Sequence, residues 1–231
     1  MSMEFLTNQN DPECWPVQFT MEALGLKYIK VDQELSNGIF QKKSAQRIPA
    51  IRDDNFVLSE SRAIATYLCN KYGSQTRNTG LYPEDVEKRG LVDMMMYIDL
   101  EARRKVLSYL NIDEVLNEGQ WLNNEHLNTV KQIVSQYEKK LSEHHYIAYE
   151  ELTVADFFCY VTICLLDVAK FNFKNYPHVS AWKSKIADIP FEFETVGSNI
   201  DELKKRYQKC LDALKYFDFI PNCILYSPLF L

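Results

Sequence analysis

The segment LTVADFFCYVTICLLDVAKF, residues 152–171, carries apolar side chains around nearly its whole circumference. A helix that is apolar on every side has to be covered on every side, so this segment is predicted to be the buried, central helix of the fold. Thr153 and Asp156 have the spacing of a capping box, with Asp in place of Glu or Gln, which predicts that the helix begins there. The rest of the second half of the chain must then supply helices that surround it.

The chain from Tyr82 onward shows helical periodicity only. Pro83 can open a helix that runs to about Leu110. Its apolar residues are predicted to form one stripe: Leu91, Met95, Ile98, Ala102 and Val106. Further helices are predicted over 124–143, 177–188 and 198–217.

The first 73 residues have a different pattern, in which short strands alternate with helices. Asp11 is a strong N-cap and Pro12 a strong first residue for one helix; Ser59 and Gly73 bound the other. Strands are predicted over 3–6, 26–31 and twice within 48–58, and helices over 12–24 and 59–73. A βαβ unit followed by a ββα unit indicates a compact α/β domain, and the polar stretch 74–80 is typical of a linker.

Composition narrows the range of functions. A net charge of −6 with no basic stripe argues against nucleic acid as a partner. The six cysteines are scattered without a CxxC pair, which is typical of reduced, buried thiols and gives no metal site. The chain contains no run of 18 apolar residues, so no membrane span is predicted. The first residues lack the charged and apolar regions of a signal peptide. The expected location is the cytoplasm.

Two long motifs resemble a known family. RIPAI…FVLSESRAIATYLCNKYG…LYP is similar to the second half of the N-terminal domain of a cytosolic glutathione S-transferase, and YIAYEELTVADFFCYVT…VAKFNFKNYPHVSAW to the core of its helical domain. The resemblance covers about residues 3–218 and is closest to the insect delta and epsilon classes. It implies an α/β thioredoxin-like N-terminal domain plus an all-α C-terminal helical bundle. The implied divisions are a domain over 1–75, a linker over 76–83, a bundle over 84–218 and an apolar tail over 219–231.

The resemblance implies glutathione as co-substrate and assigns residues to it. In the family the bond before Pro49 is cis, so that Ile48 pairs with the cysteinyl part of glutathione; the alternative is an ordinary trans proline at an edge strand. Ser61 would hold the γ-glutamyl carboxylate at a helix N-terminus, and Glu60 the ammonium group. The alternative is that both residues only favour the start of a helix.

Three further positions are assigned by the same resemblance. Arg62 would support the same carboxylate or lie at a dimer interface. Gln46 and Arg47 stand where relatives place a residue that contacts the glycine carboxylate, with Gln46 as an uncharged donor and Arg47 as the charge.

The loop NQNDPECWPVQF, residues 8–19, holds the position of the catalytic group. In the family a hydroxyl or thiol here lowers the pKa of the glutathione thiol, which is roughly 8.5 when free. Counting back from Gly25 places Asp11 where a serine is expected and Cys14 at the following cysteine. An ionised carboxylate donates no hydrogen bond and raises a nearby thiol's pKa. Either Asn10 donates to the sulfur, which is preferred, or burial protonates Asp11.

The electrophile is expected to bind against the first long helix of the bundle. Candidate side chains on that helix are Tyr97, Arg103, Arg104 and Leu107, and the alternative for the arginines is a solvated Arg-Arg-Lys turn. The predicted function is conjugation of reduced glutathione to hydrophobic electrophiles by a homodimer. The alternatives are a non-catalytic protein of the same fold that binds glutathione or a hydrophobic ligand, and, least favoured, a thiol exchanger that uses Cys14.

Overall fold

The computed structural model describes residues 3–8, 10–32, 48–76, 79–110, 126–189 and 194–217. The first part has four strands and two helices: β1 Met3–Thr7, α1 Trp15–Ala23, β2 Tyr28–Asp32, β3 Ala50–Asp53, β4 Phe56–Ser59 and α2 Ser61–Tyr72. Two 3-10 turns follow at Gly73–Gln75 and Thr79–Leu81. The second part is helical: α3 Val86–Leu110, α4 Leu127–Glu143, α5 Val154–Val168, α6 Pro177–Ala187 and α7 Glu194–Phe217. The α/β first part and all-helical second part are confirmed.

The sheet has the strand order β2-β1-β3-β4. β1 pairs parallel with β2 and antiparallel with β3, so Phe5 lies between Lys30 and Ile51 in the ladder. A parallel pair needs a crossover connection, which α1 provides. Phe5 is fully buried beneath the helices, and the end of β1 carries the loop of interest into the space beside β3.

Helix α1 begins later than the sequence indicated. The chain over 11–14 forms a turn, in which Asp11 Oδ1 accepts the Glu13 N–H at 2.8 Å and the Asp11 carbonyl accepts the Cys14 N–H at 3.0 Å. The prediction of Asp11 as N-cap is therefore wrong, and Cys14 takes that position. The reason is Pro16: a helix from residue 12 would need its N–H, whereas a start at Trp15 leaves Pro16 in the first turn, where no N–H is needed.

Helix α2 also begins later than predicted. Ser59 is not the N-cap, because it still pairs with Ala50 in the ladder between β3 and β4. The chain turns at Glu60, which has φ +74° and precedes the first helical residue, Ser61. A non-glycine residue in this backbone region is uncommon and points to a position that its surroundings fix.

Helix α5 lies at the centre of the bundle, as predicted. All of its residues except Asp167 are buried. Thr153 and Asp156 form the predicted capping box, and Asp156 also accepts the Ile147 N–H at 2.9 Å and the Trp182 indole N–H at 3.0 Å. No helix in the described part of the chain is long and apolar enough to cross a membrane.

The predicted stripe of α3 is partly wrong. Leu91 and Ile98 are exposed. The face that α3 turns inward runs instead through Val92, Met95, Asp99, Ala102, Arg103 and Val106. An aspartate and an arginine can lie on a buried face because they pair with each other there.

Candidate functional site

Three segments that the sequence separates meet at one end of the two central strands, β1 and β3. Ala50 at the start of β3 pairs with Leu6, just before the loop over 8–14. The Ile48–Pro49 bond directly before it is cis, as the resemblance implied. The first turn of α2 reaches the same loop, since the Ser61 hydroxyl donates to Glu13 at 2.8 Å. Of the predicted residues, Gln46 and Arg47 lie outside the described part of the chain.

The two predicted catalytic residues differ in their surroundings. Asn10 is exposed, and its backbone N–H donates to Asn8 Oδ1 at 2.9 Å. Asp11 is half-buried. Burial raises the pKa of Asp11, and the neighbouring Glu13 carboxylate adds to the rise. The shift has the direction that a protonated, donating Asp11 needs, so both routes to a hydrogen bond on a thiolate stay open.

Cys14 is part of the protein core. Its side chain is 2% exposed, and burial raises the pKa of its thiol to about 12. Such a thiol carries almost no thiolate at neutral pH, so the surroundings of Cys14 disfavour the thiol-exchange alternative. Among the residues that the structure describes, no group of three His, Cys, Asp or Glu side chains is placed to hold a metal ion.

The start of α2 faces a carboxylate from the chain itself. Glu13 Oε2 accepts the Ser61 hydroxyl, Arg103 Nη1 lies 3.3 Å from Glu13 Oε1, and Arg62 Nη1 lies 3.5 Å from Glu13 Oε2. Burial by itself raises the pKa of Glu13, but Arg103, Arg62 and the Ser61 hydroxyl more than offset it and hold that pKa below its ordinary value. Glu13 is therefore a carboxylate at neutral pH.

Asp99 joins this carboxylate to the bundle. It accepts from Arg62 Nη2 at 2.6 Å, Arg103 Nη2 at 3.2 Å and the Thr162 hydroxyl at 2.6 Å. With Glu13, the buried cluster holds two guanidinium groups and two carboxylates, so its charge is balanced. The cluster links the α/β part, through Glu13 and Arg62, to the helical part.

The structure corrects the prediction for Arg103. Its side chain is 1% exposed and donates to the Thr162 hydroxyl at 3.0 Å and the Phe158 carbonyl at 2.6 Å, in addition to its carboxylate partners. A guanidinium enclosed in this way holds the interior together and does not face a ligand. Its neighbour Arg104 is exposed, because successive residues of a helix point about 100° apart.

The remaining candidates on α3 are accessible to different degrees. Tyr97 is 73% exposed and lines a cavity of about 330 Å³ together with Arg62, Tyr82 and Met96. Leu107 is half-buried. Their contact with an electrophile stays a prediction.

Sequence reasoning missed Glu13 and Asp99. Glu13 lies 48 positions from Ser61, and nothing in the spacing of residues in the loop indicates the contact. Asp99 did leave a signal, since it sits four residues after Met95 and three before Ala102, on the apolar face of α3. A charged residue there predicts a buried partner.

The first part combines a loop after β1, a cis proline before β3 and the N-terminus of α2. It is joined to a bundle with a buried central helix. These features define a two-domain fold with a thioredoxin-like first part. The family model "Glutathione S-transferase, N-terminal domain" matches residues 1–70, and "Glutathione S-transferase, C-terminal domain" matches residues 97–190. The two matches occur in the family's order and together cover more than half of the chain. The chain belongs to the cytosolic glutathione S-transferase family.

Three similar proteins come from insects. Glutathione S-transferase D7 of Drosophila melanogaster is 28% identical over 213 residues, which are 88% of this chain and 92% of that protein. An epsilon-class glutathione S-transferase from the housefly Musca domestica has a similar structure, with a TM-score of 0.81, 22% identity, and coverage of 90% of this chain and 98% of that one. A glutathione transferase homolog from Drosophila mojavensis, solved with bound glutathione, gives a TM-score of 0.77 at 23% identity, covering 90% and 97%.

Proposed function

We propose that this protein conjugates reduced glutathione to hydrophobic electrophiles. The observation that carries the proposal is the match of both glutathione S-transferase domains in one chain. In that chain the loop before α1, the cis Ile48–Pro49 bond and the N-terminus of α2 lie close together. A site of this kind accelerates the reaction by holding the thiol beside the electrophile and by stabilising the thiolate. The housefly and Drosophila relatives support the same chemistry by their names, and one of them was solved with glutathione.

The roles that we assign at the glutathione site are those that the family resemblance implies. Ile48, which precedes β3, pairs with the cysteinyl backbone of glutathione, and Pro49 sets the direction of the chain at that point. Glu60, held at φ +74° and exposed, takes the ammonium group of the γ-glutamyl end. Ser61 and Arg62, in the first turn of α2, are assigned to the same γ-glutamyl end. Gln46 and Arg47 are assigned to the glycine carboxylate of glutathione.

Thiolate stabilisation is assigned to Asn10, with Asp11 as the second route. Asn10 is exposed at the mouth of the loop, so its amide can turn toward a bound sulfur. Asp11 donates only while protonated. The electrophile then binds between this loop and α3, against Tyr97, Arg104 and Leu107.

The quaternary structure that we propose is a homodimer, and the proposed location is the cytoplasm. The homodimer is supported by a set of large apolar side chains that are exposed on β4 and α3: Phe56, Val57, Leu91, Met94 and Ile98. Exposed apolar side chains concentrated on two elements are typical of a surface that another protein covers.

Calorimetry with glutathione and conjugation of a chromogenic aryl halide test the proposed function. We expect wild type to bind glutathione and to turn over. Asn10→Ala should lower kcat by about tenfold or more with little change in glutathione affinity, since general hydrogen-bond donors contribute on that scale. Cys14→Ala should leave kcat unchanged, because the thiol is buried.

Two results would contradict the proposal. Binding with negligible turnover in wild type, restored by Asp11→Ser, would identify a ligand-binding protein of the same fold. Activity that disappears only in Cys14→Ala would make that cysteine the reactive group and overturn the assignment of the loop.

A further inference from the structure

The carboxylate of Glu13 lies where the proposed function places a carboxylate of the ligand. Ser61 Oγ donates to Glu13 Oε2 at 2.8 Å, and Ser61 is buried at the first turn of α2. A hydroxyl has one proton, so it donates to one acceptor at a time. While the Ser61 hydroxyl donates to Glu13, the α-carboxylate of a γ-glutamyl group has no hydroxyl donor there.

The charges around Glu13 leave no surplus cation for a second carboxylate. Arg103 is enclosed and divides its donors between Glu13 at 3.3 Å and Asp99 at 3.2 Å. Arg62 does the same, with Asp99 at 2.6 Å and Glu13 at 3.5 Å. Adding another carboxylate would make three anions beside two cations, and displacing Glu13 would break two ion pairs to a largely buried cluster.

Glu13 also cannot make room by taking up a proton near neutral pH, since its partners hold its pKa below the ordinary value. Its side chain is 31% exposed, so it forms part of the surface that a ligand meets. A carboxylate on that surface attracts the ammonium group of a γ-glutamyl end and repels its carboxylate.

We propose that Glu13 is a specificity-determining residue that occupies the α-carboxylate position of the glutathione site. The pocket then recognises the amine of the γ-glutamyl group and is indifferent to its α-carboxylate, so it accepts thiol peptides that lack this carboxylate. The inference rests on the proposed function, because it assumes that glutathione binds with its γ-glutamyl end at α2.

Isothermal titration calorimetry with two peptides tests the proposed role of Glu13. Glutathione and 4-aminobutyryl-cysteinylglycine differ only by the α-carboxylate. For wild type we expect dissociation constants within about twofold of each other, since Glu13 already takes the Ser61 hydroxyl and both arginines and its charge opposes a second carboxylate at the start of α2. In Glu13→Ala the freed Ser61 hydroxyl and arginines should tighten glutathione by about tenfold or more and the analogue much less. The double variant Glu13→Ala with Ser61→Ala should lose most of that gain.

Two controls accompany the titrations. Glu151→Gln removes one negative charge from an exposed position remote from the site and should leave both affinities unchanged. Glu13→Gln keeps the size of the side chain and removes only its charge, so if thermal unfolding shows that Glu13→Ala does not fold, it carries the test with a smaller expected gain for glutathione over the analogue.

The outcomes separate this inference from the function on which it rests. If wild type binds glutathione at least tenfold tighter than the analogue and Glu13 variants do not change that ratio, the ligand displaces Glu13 and the inference is wrong while the function stands. If neither peptide binds to any variant, the proposed function is wrong and the inference falls with it.

Discussion

At the scale of single residues, two carboxyl groups characterise the loop before α1, those of Asp11 and Glu13. Both are acidic, and both lie in the turn that precedes α1. Burial raises the pKa of Asp11, whereas the arginines and Ser61 hold the pKa of Glu13 below its ordinary value. The pKa values of two carboxyl groups two residues apart are therefore shifted in opposite directions.

Replacing Asp11 tests this division. Asp11→Ser introduces a hydroxyl that can donate to the thiolate, so the midpoint of the pH–rate profile should fall by about one unit below that of wild type, and the rate near pH 7 should rise by about tenfold. The measurement is kcat/KM for aryl halide conjugation between pH 6 and about 9.

Asp11→Asn is the control for this variant, since it removes the charge but supplies an amide instead of a hydroxyl. If Asp11→Ser is slower than wild type across the pH range, then Asp11 is itself the donor.

At the scale of elements, the helix starts and the link between β3 and α2 are set by side chains. Asp53 at the end of β3 accepts from Lys71 and Tyr67 at 2.7 Å each and from Tyr72 at 2.7 Å, all on α2. Burial alone raises the pKa of Asp53, but these hydrogen bonds more than offset it and hold the pKa below the ordinary 3.8. The ionised carboxylate therefore stabilises the packing of α2 on the sheet.

The lowered pKa of Asp53 sets the sign of the pH dependence of stability. A carboxyl group whose folded-state pKa is lowered adds stability above the unfolded value and loses it as pH falls through the folded value. Asp53→Asn should lower the free energy of unfolding by about 1–3 kcal/mol at pH 7, and by much less below about pH 3. Urea unfolding at the two pH values measures the difference.

Asp54→Asn serves as the matched control, because Asp54 is the exposed neighbour in the same turn. It should change stability by less than about 0.5 kcal/mol. An equal loss in Asp53→Asn at both pH values would show that the charge of Asp53 does not stabilise this link.

At the scale of the whole molecule, a buried ion cluster joins the two parts of the chain. Arg103 is central to it, since its loss would leave Asp99 and Glu13 without one of their two cations. Arg103→Ala should destabilise the protein by about 3–5 kcal/mol, the range for removing one partner of a buried pair.

The adjacent Arg104 is the comparison for this prediction. Arg104→Ala, one position along α3 and exposed, should cost less than about 0.5 kcal/mol in the same denaturation experiment. Similar losses in the two variants would mean that the cluster contributes little to stability.

The proposed homodimer leads to a prediction for the exposed apolar surface. Phe56→Asp places a charge on β4 and should convert a dimer to a monomer in size-exclusion chromatography with light scattering. Because Phe56 also contacts Tyr67 within its own chain, with ring centroids 4.9 Å apart, Ile98→Asp on α3 provides a second variant.

Val86→Asp is the control, as Val86 is 79% exposed at the start of α3 and outside the proposed surface. A wild-type protein that elutes as a monomer, or dimers in both variants, would contradict the assignment of this surface.

Local chemistry was enough to predict much of the fold. The apolar circumference of α5, the pairing of Thr153 with Asp156 and the alternation before residue 73 each depend on neighbours in the sequence, and the structure confirms them. The starts of α1 and α2 were misplaced because Pro16 and the Ser59–Ala50 pairing outweighed residues that favour a cap.

The sequence by itself determined the two-part architecture and, through its motifs, the family resemblance that implied a cis Ile48–Pro49 bond, because motifs and periodicity are properties of the local chain. Only the tertiary structure decided that Arg103 lies inside, that Asp99 balances it, and that Glu13 takes the hydroxyl of Ser61. These are contacts between groups 4 to 90 positions apart, as between Arg103 and Asp99 or Arg103 and Glu13. Whether a charge is solvated or paired depends on what packs around it, and that is fixed only when the chain has folded.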